Sequence, residues 1–264
     1  MAQNFRQAEI LARARADGAV TVEGLAAAFG VTLQTIRRDL AELCDKGRLT
    51  RVYGGAVLPS GAENIGYEAR RAMNARGKAA IAARVAAEIA PGTSLFLNIG
   101  TTTEAVARAL TRHRGLMVVT NNLNVATILA ANPEAQVIVA GGVVRAGDAG
   151  LVGEVTLDAI ARFRPDVAVI GASAISPVGE FLDYDPREVR ITQAMIAHAR
   201  RSLLVADAGK FRRTAPVLVG DLSHISAIVT DADPPAPLAA RCADWGTGIL
   251  RAEAGAAESP PGDN

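Results

Sequence analysis

Residues 32–47 read TLQTIRRDLAELCDKG. Thr32 is placed to cap a helix, because its hydroxyl can accept from one of the first-turn amides that no helical carbonyl reaches. Behind it Leu33, Ile36, Leu40 and Leu43 recur at helical spacing and are expected to face inward. Gln34, Thr35, Arg37 and Arg38 then fall on the outward face near the helix start. Such side chains bond base edges and phosphates in a DNA major groove.

Upstream, Ile10, Leu11 and Ala14 suggest a first helix and Asp17-Gly18 a turn. Thr21 opens VEGLAAAFG, which Gly30 stops. Downstream, RLTRVYGGAVL (48–58) reads as a hairpin turning near Gly54-Gly55, with Arg48 and Arg51 placed along a nucleic-acid backbone. An ordinary solvated helix face explains an isolated arginine pair. A tight pair of helices, a polar helix start and a basic hairpin together favour a winged helix-turn-helix over residues 1–58. TLQTIRRDLAEL followed by RVYGGAVL resembles the DNA-binding signature of the DeoR family of bacterial regulators.

The whole chain gives no such advertisement. It has 264 residues, enough for about two domains, and 50% are hydrophobic against 21% charged, which excludes wholesale disorder. The formal charge of +1 means that affinity for nucleic acid must be local. Cys44 and Cys242 offer neither a disulfide framework nor zinc spacing, and His113, His198 and His224 are dispersed, so no metal site is expected. Arg6, Glu9, Arg13 and Arg15 precede any apolar stretch, and no apolar run reaches the ~20 residues that span a bilayer. A cytoplasmic protein without a membrane partner is expected. Basic charge is almost all arginine; the lysines are Lys46, Lys78 and Lys210.

Residues 59–76 begin with turn residues and become charged, as a linker would. From 77 to 250 short apolar runs alternate with amphipathic segments: LFLNIG, LMVVTNN, QVIVAGG, VAVIGAS, SLLVAD and SAIVTD. This alternation predicts an α/β domain with parallel strands and crossover helices. Residues 251–264 read as a disordered tail. Ligands of open parallel sheets gather at the carboxyl ends of strands, so those ends are where a site is expected.

Three clusters fall there. In LFLNIGTTTEAVARAL (95–110) a strand reaches Gly100, and Thr101, Thr102 and Thr103 open a helix whose free amides suit an anion. Thr101 and Glu104 equally have the spacing of a capping box. In FLDYDPREVRITQAMI (181–196) Asp183, Asp185 and Glu188 either complement a helix dipole or accept hydrogen bonds from sugar or polyol hydroxyls. In SLLVADAGKF (202–211) Lys210 is either a solvated loop residue or a point charge for phosphate. Asn121 in TNNLN, and Gly142 and Arg145 in GGVVRAGDAG, are candidate walls. No dinucleotide fingerprint, P-loop or nucleophile elbow is complete, so neither catalytic residues nor cofactors are expected.

Residues 77–235 resemble the sensor domain of DeoR-family repressors, through NIGTTTEAVARAL, VTNNLNVA, GGVVR, LVGEVTLDAI, RFRPD, LDYDPREVR, ADAGKF and VTDADPP. The resemblance implies a fold shared with ribose-5-phosphate isomerase and CoA transferases. It implies a repressor of glycerol-catabolism genes, bound to double-stranded operator DNA as a dimer or tetramer and released by glycerol 3-phosphate or a related phosphorylated polyol. The effector site it implies lies around Gly100–Thr103, Asp183–Glu188 and Lys210. Asn98, Pro186, Gly209 and Arg212 depart from the family pattern. Two alternatives stand beside this reading: a relative responding to a ketose or pentose phosphate, or acting as an activator, and a sugar-phosphate isomerase carrying an accessory domain.

Overall fold

A computed structural model describes residues 2–17, 19–46, 48–52, 54–57 and 67–253. The first part of the expected linker, 59–66, and most of the expected tail, 254–264, lie outside the described residues.

The N-terminal unit is three helices and a small sheet: α1 (Ala2–Asp17), β1 (Ala19–Thr21), α2 (Val22–Phe29), α3 (Leu33–Asp45), β2 (Thr50–Val52) and β3 (Gly55–Val57). Thr21 caps α2 by accepting from the Gly24 amide, and Gly30 ends it in the left-handed region at φ 62°. Thr32 caps α3 by accepting from the Thr35 amide at 3.2 Å. Ile10, Ala14, Leu25, Ile36, Leu40 and Leu43 form the core, the burial of each leucine or isoleucine stabilising by about 1.5–3 kcal/mol. Leu33 does not join them. It is 41% exposed, because it is the first residue of α3 and the packed helices do not reach that end. The hairpin β2–β3 is present, and β1, which the sequence reading did not anticipate, pairs antiparallel with β3. Gly55 makes that contact possible: a Cβ there would lie 2.0 Å from the Val20 carbonyl oxygen.

The second unit begins earlier than expected. Residues 67–72 form α4 (Tyr67–Ala72), followed by α5 (Ala75–Glu88). Residues 67–72 are helical because Ala, Glu and Arg are strong helix formers, and Arg70 finds a partner in Asp148 of the second unit. The chain then continues through β4 (Ser94–Leu97), α6 (Thr101–Ala109), β5 (Met117–Thr120), α7 (Leu123–Leu129) and β6 (Gln136–Val139). A hairpin, β7 (Val143–Arg145) and β8 (Gly150–Val152), leads to α8 (Glu154–Ala161) and β9 (Val167–Gly171). After it come β10 (Ala174–Ile175), β11 (Glu180–Asp183), α9 (Pro186–His198) and β12 (Arg201–Val205). A 3-10 turn (Ala208–Arg212) precedes β13 (Val217–Asp221), and β14 (Ala227–Thr230), α10 (Ala236–Trp245) and β15 (Gly248–Arg251) complete the domain.

Seven parallel strands make the main sheet in the order β15-β14-β12-β9-β4-β5-β6. The six apolar runs supply six of its strands. Alternate residues face opposite cores: Leu95, Leu97, Val118 and Val169 pack under α5, α6 and α7, while Phe96, Val119, Ile170 and Leu204 pack under α9 and α10. β10, β11 and β13 form a separate antiparallel sheet. From β4 the chain winds outward through β5 and β6, then crosses back to β9 and winds the other way. The β4/β9 junction is therefore the topological switch point, where the carboxyl ends of strands open a crevice. Among the described residues no helix is long and apolar enough to cross a membrane.

Candidate functional site

Two surfaces carry the expected chemistry. On the N-terminal unit α3 presents Gln34, Arg37 and Arg38 to solvent, with Thr35 half-buried beside its cap. Arg37 and Arg51 line one groove of about 260 Å³ between α3 and the wing, with Glu23 and Gly54 on its walls. Arg48 is exposed, and Arg38 leans on Glu42 at 3.5 Å. The opposite face of α3 is fixed by Ile36, Leu40 and Leu43 and by Asp39, which is 1% exposed and ion-paired to Arg6 of α1.

The second surface is a cleft at the carboxyl ends of β4, β9 and β12. Its lining includes Gly100, Thr101 and Thr102 from the β4–α6 turn and Ser173 from the end of β9. Asp183 of β11, Glu188 of α9, Arg145 of β7 and Lys210 of the 3-10 turn complete it, together with Arg70 of α4. Gly100 caps α6 without a side-chain hydrogen bond, and Glu104 bonds its amide to the Gly100 carbonyl. The capping box is thus not formed. The Glu104 carboxylate instead accepts from Tyr67 and Asn124. Thr103 departs from the expected role: its hydroxyl is turned back onto the Asn98 and Gly100 carbonyls at 2.9 and 2.8 Å. Asn98 is internal scaffolding, accepting from the Gly171 amide at 2.9 Å to tie β4 to β9.

The cleft has two chemically different ends. At one, the start of α6 faces Lys210, whose ammonium makes no hydrogen bond or ion pair among the described residues. Burial draws the Lys210 pKa down to about 8, with Asp207 opposing and Arg213 and Arg70 adding repulsion. Lys78 of α5 is drawn down to about 8 by the same combination. At the other end Asp183 accepts from the Ser173 hydroxyl at 2.9 Å and the Tyr184 amide at 2.8 Å. Glu188 is pushed up to about 8 by burial and by the charge of Asp183, against the pull of Arg145.

Arg145 bridges the carboxylates. It donates twice to Asp148, at 2.9 and 2.7 Å, and also to Asp185 at 3.1 Å and Glu188 at 2.6 Å. Burial acts to lower its pKa, but the Asp148 and Glu188 contacts outweigh that and raise it above the usual guanidinium value. Asp185 is the cap of α9, held down to about 2 chiefly by Arg187, with Arg145 assisting against the cost of burial.

Gly100, Thr101, Thr102, Arg145, Asp183, Glu188 and Lys210 are therefore brought together, and Asp185 borders them through Arg145. Asn121 and Gly142 are not. Asn121 is 1% exposed and exchanges hydrogen bonds with Leu151 of β8. Gly142 sits at φ 112° against Thr156, where a Cβ would come within 2.0 Å of the hydroxyl. Both hold the β7–β8 hairpin over strand ends that would otherwise be open. Sequence reasoning missed Arg70, Lys78 and Arg213. The rarity of lysine in this chain was the available signal for Lys78; Arg70 lay in a charged stretch that reads as linker.

Residues 6–62 match the DeoR-like helix-turn-helix domain, and residues 73–232 match the DeoR C terminal sensor domain. The chain is 44% identical over 235 residues to the glycerol-3-phosphate regulon repressor of Escherichia coli K12, covering 89% of this chain and 93% of that one. It is 39% identical to the HTH-type transcriptional repressor CsqR of the same organism, covering 91% and 92%. Ribose 5-phosphate isomerase A from Neisseria gonorrhoeae superposes with a TM-score of 0.38 at 12% identity, over 51% of this chain and 52% of that one.

Proposed function

Since this chain belongs to the DeoR family, we propose that it is a DNA-binding transcriptional repressor whose sensor cleft takes glycerol 3-phosphate and thereby releases the operator. One observation supports this effector: the cleft joins a cationic end to a carboxyl-lined end. The phosphate meets the amides of Thr101 and Thr102 and the Lys210 ammonium, where a helix start and a point charge act together. The polyol hydroxyls meet Asp183 and Glu188. Both carboxyl groups can exchange hydrogen bonds with the polyol hydroxyls, which favours a polyol phosphate over inorganic phosphate.

Release is a population shift. The ligand must bind the operator-incompetent arrangement more tightly, since equal affinity for both arrangements shifts nothing. A homo-oligomer, dimer or tetramer, pairs winged domains across a palindromic operator. Gln34, Arg37 and Arg38 read the groove, Thr32 and Thr35 fix the start of α3, and Arg48 and Arg51 hold phosphates. The protein binds its ligand without turning it over.

The test is fluorescence anisotropy of an operator fragment from the protein's own upstream region. It is titrated with glycerol 3-phosphate, fructose 1-phosphate, ribose 5-phosphate and inorganic phosphate. Selective release by glycerol 3-phosphate is expected; selective release by another sugar phosphate replaces the ligand and keeps the repressor. Lys210→Ala should raise the glycerol 3-phosphate needed for half-release by about tenfold or more, the loss of one charge-assisted contact. An unchanged midpoint would remove Lys210 from the site.

A further inference from the structure

α4 stands apart from the other elements at the cleft. It is a six-residue helix, and the chain preceding it leads from the winged domain. Two of its residues, Tyr67 and Arg70, are committed to the cleft rim. Tyr67 donates to the Glu104 carboxylate, 3.1 and 2.9 Å from its two oxygens, and accepts from Asn124 at 3.1 Å. The Arg70 carbonyl accepts from the buried Lys78 ammonium and, at 3.5 Å, from the Thr101 hydroxyl. The Arg70 guanidinium lines the cleft and reaches Asp148 at 3.4 Å. Thr101 and Glu104 both belong to the first turn of α6, whose amides face the phosphate end.

We infer that Arg70 is both a ligand of the effector's phosphate and the residue through which occupancy of the cleft is passed to the winged domain. This rests on the reading of the cleft as a phosphate site. Asp148 is already held twice by Arg145, at shorter range, so the 3.4 Å contact of Arg70 is the weaker claim on that carboxylate. A phosphate dianion between Lys210 and Thr101 offers the guanidinium unshared oxygens in the planar, two-pronged geometry it prefers.

Charge favours the exchange. Lys78, Lys210, Arg70 and Arg213 repel one another at this end, with Asp207 opposing them, and the Nε of Arg213 is buried without a partner among the described residues. Arg70 stands on the rim of the cleft with Arg145 and Lys210, within reach of a ligand held there. The Arg70 carbonyl is held by Lys78 and Thr101, so a ligand that engages Arg70, Thr101 and Lys210 together changes the forces on α4, the first described element after the winged domain in the chain.

The experiment compares the full-length wild type with Arg70→Gln, Tyr67→Phe and Lys210→Ala. Calorimetry with glycerol 3-phosphate, and with inorganic phosphate as a control, gives binding. Anisotropy gives the operator Kd with and without saturating glycerol 3-phosphate, and the ratio of those two values is the coupling. In Arg70→Gln glycerol 3-phosphate is expected to bind about tenfold more weakly. Its saturation should change the operator Kd by less than about threefold, against a wild-type ratio in the ordinary allosteric range of about 5–150. Tyr67→Phe keeps the ring and the cleft lining while loosening α4, so half-release should need less ligand than in wild type. Lys210→Ala should weaken binding yet keep the wild-type ratio once saturated.

If Arg70→Gln shows the full ratio at saturation, the transmitting role is overturned and Arg70 is a contact only. Unchanged binding together with an unchanged ratio overturns both roles. If wild type binds none of the phosphates, the phosphate reading of the cleft falls first, and this inference with it.

Discussion

Lys210 gives the cleft its pH dependence. Its ammonium is the form that holds phosphate, and its pKa lies at about 8 rather than at the ordinary 10.5. Raising the pH from 7 to 9 removes the charge from most of the free protein, while the phosphate remains a dianion throughout. Half-release should therefore need about tenfold more glycerol 3-phosphate at pH 9 than at pH 7, measured by anisotropy with the operator affinity checked at each pH; Glu188 and Lys78 also titrate near 8, so a smaller increase in Lys210→Ala is what assigns the effect to the lysine. Glu188 acts on stability, and its contribution too weakens as pH rises. Its carboxyl is raised from 4.5 to about 8, so between those values the unfolded chain ionises first and folding weakens as pH rises. Urea midpoints at pH 5 and pH 8 should differ less in Glu188→Gln than in wild type; an equal difference would place the pH dependence elsewhere. On the DNA face Arg37 lines the groove shared with the wing, whereas Arg38 is partly engaged by Glu42. Arg37→Ala should cost about 1–3 kcal/mol of operator binding and Arg38→Ala less, at a fixed salt concentration.

Elements divide into those the sequence makes legible and those it does not. The parallel strands were legible because each is a run of buried Val, Ile and Leu long enough to be seen against its flanking helices. β1, β7, β8 and β10 are two or three residues long, and their pairing is decided by partners distant in the chain, so no local pattern announces them. The same cause misplaced part of the site. Asn121 and Gly142 end strands, which made them candidates, but the β7–β8 hairpin lies over those ends and employs them as scaffolding. Thr103 was grouped with Thr101 and Thr102 at an anion-binding helix start, because a sequence does not say which way a hydroxyl turns. The Gly55 contact between β3 and β1 yields a prediction at this scale. Gly55→Ala sets a methyl against the Val20 backbone, which cannot yield as a side chain can, and should destabilise the winged domain by about 1–3 kcal/mol. Operator binding should fall while glycerol 3-phosphate binding by calorimetry is kept.

For the molecule as a whole, the two domains have separate cores and the one tryptophan, Trp245, belongs to the sensor. Its emission reports sensor unfolding. Glycerol 3-phosphate at about a hundred times its Kd should stabilise that domain by about 2.7 kcal/mol, a rise in Tm of about 5–10 °C. No rise with any of the tested phosphates would count against the cleft as the effector site. The two-faced build of α3 has a consequence for how such a regulator changes targets. Inward, Ile36, Asp39, Leu40 and Leu43 are all buried and fixed by α1 and α2; outward, Gln34, Arg37 and Arg38 hold no part of that core. The specificity alphabet and the folding alphabet are written on different letters of one helix. Lineages can drift to new operators through outward substitutions alone, keeping the same sensor, the same ligand and the same stability while the set of genes under control is rewritten.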